Sequence, residues 1–280
     1  MLKRILVALD PDEDTPIASR YAIDIAQRHE AEVTGLACID LAAIGSSSSG
    51  GGIGSMYYAE RLRERLTNET RARAQELIKE FEATFAKAGV RYADEVQEGV
   101  PFERILEDMK YHDLLVVGRT PHFFYGHPNE RTETLVRVVK GTSAPVFIVG
   151  DTYKPIRKVV VAYDRSVASA RAMQRFAQFS PFGLDLEVQV VHVCKEREHD
   201  ESELVLNLAK GYLNAYGYTT HSMSLVGDDP KKEILDYAVS YEADLVVAGA
   251  HSQHMLHKLA FGSTTEALLE ESPIPLFLES

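Results

Sequence analysis

The chain has 280 residues, 45% of them hydrophobic and 26% charged, so it is long enough for two globular domains and apolar enough to bury a core in each. Its 42 acidic and 30 basic residues give a formal net charge of -12, which disfavours general binding to nucleic acids because their phosphates would be repelled. There is no signal-peptide pattern and no apolar run of the ~20 residues that a membrane span requires. Cys38 and Cys194 both lie in apolar runs, so we expect a chain of the reducing cytoplasm.

In chain order, the first predicted elements are a buried strand at residues 5–9 and an amphipathic helix at residues 17–28. The strand is an aliphatic run, and the helix has apolar residues at the spacing of one helical face. The alternation continues to a helical pattern around Ile234 and a strand at residues 245–248. Alternating strands and helices predict right-handed βαβ units and a mainly parallel sheet with helices on both faces.

Four segments of the first half return in the same order in the second half. They are KRILVALD (3–10) and RKVVVAYD (157–164), EVTGLAC (32–38) and EVQVVHV (187–193), DLLVVG (113–118) and DLVVAG (244–249), and APVFIV (144–149) and IPLFLE (274–279). The preserved order indicates an internal duplication, because chance similarity among apolar runs would not keep it. We therefore predict two domains, at residues 1–150 and 151–280.

The first half is longer than the second. Asp10 and Gly118 lie 108 positions apart, whereas Asp164 and Gly249 lie 85 apart, so the first half carries 23 extra residues. The segment SSSSGGG at residues 46–52 has the composition of a flexible linker. We expect this segment to supply the extra length, as a mobile surface loop inside the first domain.

The most informative segment follows the fourth strand of the second half. Ser263 and Glu266 have the spacing of a capping box before the apolar residues 267–269, which predicts a helix start. Free main-chain N–H groups and the positive end of the helix dipole would suit a phosphate, and Gly262 would let the backbone approach it closely. The alternative is that Gly262 only starts a helix and Gly249 only ends a strand.

These residues resemble the universal stress protein family. Its nucleotide-binding members carry Gly, two residues, Gly, nine residues, and then Gly followed by Ser or Thr. The second half keeps every spacing with Gly249, Ser252 and Gly262-Ser263, so a serine replaces the middle glycine. Asp164, at the end of the half's first strand, also matches the family pattern. The resemblance covers nearly the whole chain, which looks like two such domains in tandem.

The resemblance implies two Rossmann-like domains of the adenine nucleotide alpha hydrolase type, each with a mainly parallel five-stranded sheet and helices on both faces. It also implies a protein of the stress response that binds ATP in its second domain and senses nucleotide or serves as a scaffold. The implied site residues are Asp164 facing the nucleoside, Ala162 and Val193 beside the adenine, and Gly249, Gly262, Ser263 and Thr264 at the ribose and phosphates. Ser252 adds a side chain where ATP binders approach the phosphates, although its hydroxyl could donate a hydrogen bond.

The first half departs further from the family pattern. Gly118 is kept, but proline stands at position 121 and Arg131 stands where the last glycine is expected. The long side chain of Arg131 would fill the space of a phosphate. We therefore expect a degenerate first domain with a structural role.

Two other function classes stay open. One is an interaction module that binds no nucleotide, and the other is a slow hydrolase that uses Ser252 or Ser263 beside His251. The chain has neither a G-x-S-x-G elbow nor a Walker lysine, so we expect at most slow ATP hydrolysis. His251, His254 and His257 lie three apart, a spacing that does not converge on tetrahedral zinc, and we expect them to be solvated.

The last strand of each half, at residues 146–149 and 276–278, is strongly apolar. An apolar edge strand favours pairing with another strand, and the family resemblance implies that such final strands associate. We expect the two halves to pack on one another about a pseudo-twofold axis, and we leave further self-association open.

Overall fold

The computed structural model of the chain describes residues 1–11, 14–41, 44, 55–119, 131–250 and 268–280, and only the backbone of residues 55, 56 and 131–134. The elements of the first half are β1 (Arg4–Leu9), α1 (Asp14–His29), β2 (Glu32–Ile39), α2 (Ser55–Ala88), β3 (Arg91–Glu98), α3 (Pro101–Met109), β4 (Leu114–Val117), α4 (Arg131–Gly141) and β5 (Val146–Ile148). Those of the second half are β6 (Lys158–Ala162), α5 (Val167–Phe179), β7 (Glu187–Cys194), α6 (His199–Ala215), β8 (Thr219–Val226), α7 (Pro230–Ser240), β9 (Leu245–Gly249) and β10 (Leu276–Glu279). A helical turn at residues 268–271 precedes β10.

Each half is a five-stranded parallel sheet, as the alternation of strands and helices predicts. The strand order is β3-β2-β1-β4-β5 in the first half, and β8-β7-β6-β9-β10 repeats it in the second. The β-branched and aliphatic runs of the central strands are buried on both sides, because helices cover both faces of the sheet. One core lies between the sheet and the helices α1, α2, α5 and α6, and the other lies against α3, α4, α7 and the turn at 268–271.

The two halves form one continuous sheet of ten strands, in which β5 and β10 are antiparallel neighbours. Phe147 pairs with Phe277 at the centre of this junction. Both phenylalanines are fully buried. The expected association of the two final strands is confirmed, and it removes both apolar edges from solvent.

Side chains of α1 contact the segment that connects the two halves. The Tyr21 hydroxyl donates to the main-chain oxygen of Lys154 at 2.8 Å, and Tyr153 donates to the carboxylate of Asp24. The guanidinium of Arg20 lies 3.7 Å from the centre of the Tyr153 ring. The chain between β5 and β6 is therefore packed against α1.

The extra length of the first half is helical to a large extent, which corrects the expectation that a glycine-serine loop supplies it. Helix α2 has 34 residues, whereas α6, at the same place in the second half, has 17. The sequence of α2 is rich in Ala, Glu, Arg and Leu, which are strong helix formers. Residues 46–52 lie outside the described residues, so their predicted mobility stays a prediction.

Within the described part of the chain, no helix combines the length and the apolar character that a membrane crossing requires.

Candidate functional site

The strand order of the second half reverses at β6, which has β7 on one side and β9 on the other. The chain leaves β6 for β7 and β8 and then returns to β9, so the carboxyl ends of β6 and β9 border a crevice. Open parallel sheets bind their ligands at such a switch point. Asp164 follows the end of β6, and Gly249 ends β9. The structure thus brings two of the residues predicted from the sequence to the edges of one crevice.

Small apolar side chains form one face of the sheet at this end. Ala162 pairs with Val191 on the neighbouring strand, and Val193 lies two residues further along the same strand. Side chains two apart point to the same face of a strand. Ala162, Val193 and Ala248 accordingly belong to one apolar cluster. Ala162 and Val193, the two residues predicted to line the adenine, therefore share a face.

The turn between β6 and α5 fixes the carboxylate of Asp164. Its Oδ1 accepts the main-chain N–H of Ser166 at 2.9 Å, and the Ser166 hydroxyl in turn accepts the N–H of Ser169 at 3.0 Å, which caps α5. Arg165 has a φ of 67°, in the left-handed region, which turns the chain sharply between strand and helix. Asp164 itself is exposed. Its carboxylate is thus held at the mouth of the crevice.

His192 is a polar neighbour of this site that the sequence reasoning missed. Its Nδ1 lies 2.9 Å from the hydroxyl oxygen of Ser202, which lies 2.6 Å from that of Ser224. Burial lowers the pKa of His192, and the nearby charge of Asp164 opposes this shift only in part, so the imidazole is mostly neutral at pH 7. Its position directly before Val193, at the end of the second strand, was the available signal.

Gly249 has a packing role whatever ligand binds. A Cβ on Gly249 would lie 2.4 Å from the main-chain nitrogen of Ser169 and 2.5 Å from the carbonyl carbon of Ala168, at the start of α5. Gly118 has the same role in the first half, since its Cβ would lie 2.6 Å from the Cβ of Asp14. Both glycines let the first helix of their half approach the fourth strand.

The remaining predicted site residues lie outside the described residues. They are Ser252, Gly262, Ser263 and Thr264, together with His251, His254, His257 and position 121 of the first half. Their roles stay predictions. Arg131 lies in α4, so the position of the first half that corresponds to Gly262 is helical.

In the first half, the groups at the matching strand ends make contacts within the protein. Asp10 is 2% exposed, and its main-chain N–H donates to the hydroxyl of Thr15 at 2.9 Å. The main-chain N–H of Arg119 donates to Asp14 at 3.0 Å, and its guanidinium reaches across the junction to the carbonyl oxygen of Ile274 at 3.1 Å. The residue that follows Gly118 therefore helps to hold the two halves together.

In the described part of the chain, no three His, Cys, Asp or Glu side chains lie close enough together to bind a metal ion. Cys38 is also a poor nucleophile, because burial raises the pKa of its thiol to about 12.

Comparison with known proteins decides the family. The Universal stress protein family matches the chain twice, at residues 1–150 and at residues 155–278. The chain belongs to the universal stress protein family. The resemblance drawn from the sequence motifs is confirmed, and so is the tandem arrangement of two Rossmann-like α/β domains.

Three relatives match this universal stress protein over nearly its full length. It is 26% identical to a universal stress protein of Synechocystis sp., over 98% of this chain and 99% of the relative. A universal stress protein structure from Archaeoglobus fulgidus has a TM-score of 0.71 at 20% identity and covers 99% of this chain and 98% of that one. A putative universal stress protein structure from Pseudomonas aeruginosa has a TM-score of 0.63 at 17% identity, over 99% of this chain and 93% of that one. At these identities the two structures show the shared fold alone.

Proposed function

We propose that this universal stress protein binds an adenine nucleotide, ATP, in its second domain, and that it acts in the stress response as a nucleotide-sensing or scaffolding protein of the cytoplasm. The observation that carries the proposal is the crevice at the carboxyl ends of β6 and β9. It combines an exposed, fixed carboxylate at Asp164 with the small apolar side chains of Ala162 and Val193 on one sheet face.

The chemistry of these groups suits a nucleoside. The carboxylate of Asp164 accepts hydrogen bonds, and a nucleoside offers ribose hydroxyls and an exocyclic amine as donors. Ala162 and Val193 are small, so a flat base could lie against the ends of their strands. Asp164 already accepts the N–H of Ser166, which holds its carboxylate in place before a ligand arrives.

The phosphates are assigned to the predicted helix start at Gly262, Ser263 and Thr264, with Ser252 beside them. Main-chain N–H groups and hydroxyls at a helix start bind phosphate oxygens irrespective of the net charge of the chain. The sequence offers no Walker lysine beside these residues to clamp the phosphates, so we propose binding with at most slow hydrolysis.

Calorimetry with ATP tests the proposal on the full chain and two variants. Gly262→Arg copies Arg131 of the first domain into the phosphate position and should abolish ATP binding. Asp164→Ala should weaken ATP binding but leave pyrophosphate binding unchanged, because it removes only the nucleoside contact. Equal ATP affinity in wild type and Gly262→Arg would contradict this placement of the phosphates.

The second candidate is an interaction module that binds no nucleotide. The packing role of Gly249 favours it, because the helix α5 explains that glycine without a ligand. Acid precipitation of the purified protein separates the two candidates. Release of an adenine nucleotide into the supernatant supports nucleotide binding. If no nucleotide is released and added ATP gives no heat signal, the interaction module remains, and Ser252→Gly is the first variant to test for restored binding.

A further inference from the structure

A polar pocket lies at the junction of the two halves, on the α5 side of the sheet, and we call it the seam pocket. Its volume is about 510 Å³. Its wall includes Thr142, Arg171, Arg175, Gln178, Glu279 and Ser280. The pocket thus joins the end of the first half to α5 and β10 of the second.

Glu279 is an unusual residue in this wall. It is 6% exposed, and its Oε2 has no hydrogen-bond partner among the described residues. By the alternation of β10, its side chain shares the face of Phe277, which packs under α5. The first half has the fully buried Val149 at the corresponding position, so the fold itself does not require a carboxylate there. A buried acceptor without a donor is costly, which suggests that a ligand supplies the donor.

Arg171 and Arg175 supply the complementary charge. They lie one turn apart on α5, are exposed at the mouth of the pocket, and form no ion pair with an aspartate or glutamate side chain of the described residues. Arg171 donates to the main-chain oxygen of Ser280 at 3.1 Å, which orients its guanidinium along the pocket. Guanidinium groups bind oxyanions with two parallel hydrogen bonds.

One class of ligand satisfies both requirements. The arginines can bind negatively charged oxygens, and Glu279 can accept a hydrogen bond from a donor in the same small ligand. Inorganic phosphate keeps at least one P–OH group near neutral pH, whereas sulfate has none, and a phosphate monoester loses its last P–OH above pH ~6. We propose that the seam pocket binds inorganic phosphate, with its charged oxygens on Arg171 and Arg175 and its P–OH donating to the carboxylate of Glu279.

This site is distinct from the proposed nucleotide site. The seam pocket opens beside α5, whereas Ala162 and Val193 belong to the apolar cluster on the opposite face of the sheet. Gly262→Arg should therefore leave phosphate binding at the seam pocket unchanged, even though it blocks the predicted phosphate position of ATP. Loss of phosphate binding in Gly262→Arg together with its retention in Glu279→Gln would assign the phosphate to the nucleotide site and overturn the proposal.

Calorimetry at pH 8 with phosphate, sulfate and methyl phosphate tests the proposal on the full chain. Wild type should prefer phosphate over the other two by about ten-fold or more, the worth of one charge-assisted hydrogen bond. Glu279→Gln should reduce phosphate affinity by about ten-fold and leave sulfate affinity equal or higher, because an amide can donate to an oxyanion. Equal affinities for phosphate and sulfate in wild type, or unchanged phosphate affinity in Glu279→Gln, would overturn the proposal.

Variants of the exposed arginines provide a test that does not depend on a substitution in the core. Arg171→Gln and Arg175→Gln should each weaken the binding of phosphate and of sulfate alike. Arg63→Gln, at an exposed arginine of α2 outside the pocket wall, should change neither affinity.

The pH dependence of binding provides a further test. Arg171, Arg175 and Glu279 are the only charged side chains in the described wall. Burial raises the pKa of Glu279 to about 7, so at pH 6 its carboxyl group is largely protonated and can donate to sulfate. The preference for phosphate over sulfate should therefore narrow at pH 6, and a preference that is independent of pH would contradict the role of this carboxylate.

Discussion

Asp10 and Asp164 follow the first strand of their halves and have different surroundings. Asp10 is 2% exposed, and Thr15 at the start of α1 holds its backbone through two hydrogen bonds. Asp164 is exposed, and its carboxylate accepts the main-chain N–H of Ser166 in the turn before α5. Because a nucleoside can reach only an exposed carboxylate, this difference supports a site in the second domain.

The glycine that ends β9 provides the sharpest single-residue test of packing. Gly249→Ala should lower the free energy of unfolding by about 1–3 kcal/mol, because the new methyl group would meet the backbone of α5 and cannot be relieved by moving a flexible side chain. Urea unfolding at constant pH measures this change.

Gly211→Ala is the matched control for Gly249→Ala. Gly211 lies inside α6, and a Cβ there would meet nothing within 4 Å. The same chemical change should therefore stabilise the protein by about 0.5–1 kcal/mol, the helix preference for alanine over glycine. Equal changes in the free energy of unfolding of the two variants would contradict the close packing of α5 on β9 at Gly249.

Glu279 should make stability depend on pH. Burial raises the pKa of its carboxyl group to about 7, although Arg175 and Arg171 oppose the shift. The unfolded chain has the lower, ordinary value of 4.5, so the folded state binds the proton more tightly between these two values. The ionisation of Glu279 should therefore leave the free energy of unfolding unchanged below pH 4.5 and lower it by about 3 kcal/mol above pH 7.

Urea unfolding at pH 5 and pH 8 in buffers without phosphate checks this expectation. The wild type should lose stability relative to Glu279→Gln as the pH rises, because glutamine does not ionise. The other titrating groups are common to both proteins and cancel in the comparison. Parallel pH profiles of the two proteins would mean that Glu279 has the same pKa in the folded and unfolded states.

At the scale of elements, α2 and α6 connect the same two strands of their halves with different lengths. Both helices pack on the same face of the sheet and bury apolar residues in the same core, Phe81 and Phe85 from α2 and Leu206 and Leu213 from α6. The additional turns of α2 lie towards its amino-terminal end, where Tyr57 and Tyr58 are exposed. The core therefore requires only the later turns of α2.

The segment before α2 should contribute little to stability. Residues 46–52 are serine and glycine, so ordering them would bury almost no apolar surface against a backbone entropy of ~1–2 kcal/mol per residue. Deleting residues 46–52 should leave the melting temperature nearly unchanged, as measured by calorimetric scanning. A large drop would show instead that the segment covers a core face or a functional surface.

At the scale of the whole molecule, the junction between β5 and β10 makes one sheet of two domains. In the isolated first half, β5 would present Val146, Phe147 and Ile148 at an open edge, all of which are buried in the full chain. Residues 1–150 expressed alone should therefore self-associate, with β5 of one copy pairing with β5 of another. Sedimentation at micromolar concentration measures this, and a well-folded monomer would contradict it.

The sequence alone was sufficient to predict the duplication, the alternation of strands and helices and the parallel sheet. These features follow from local periodicity and from the apolar character of each strand, which short segments carry by themselves. The pairing of the final strands was expected from their apolar character together with the family resemblance. The family was also within reach, because the spacing from Gly249 to Gly262 is a property of the chain and not of its folding.

Only the tertiary structure decided what the individual side chains at the strand ends contact. It showed that Gly249 accommodates α5, that Arg119 reaches Ile274 across the junction, and that Glu279 is buried under α5 with no donor to its Oε2 among the described residues. Each of these facts depends on groups that are distant in the sequence and are brought together when helices pack on the sheet. Local patterns do not record such distances, so the same repeat position can hold a buried valine in one half and a buried carboxylate in the other.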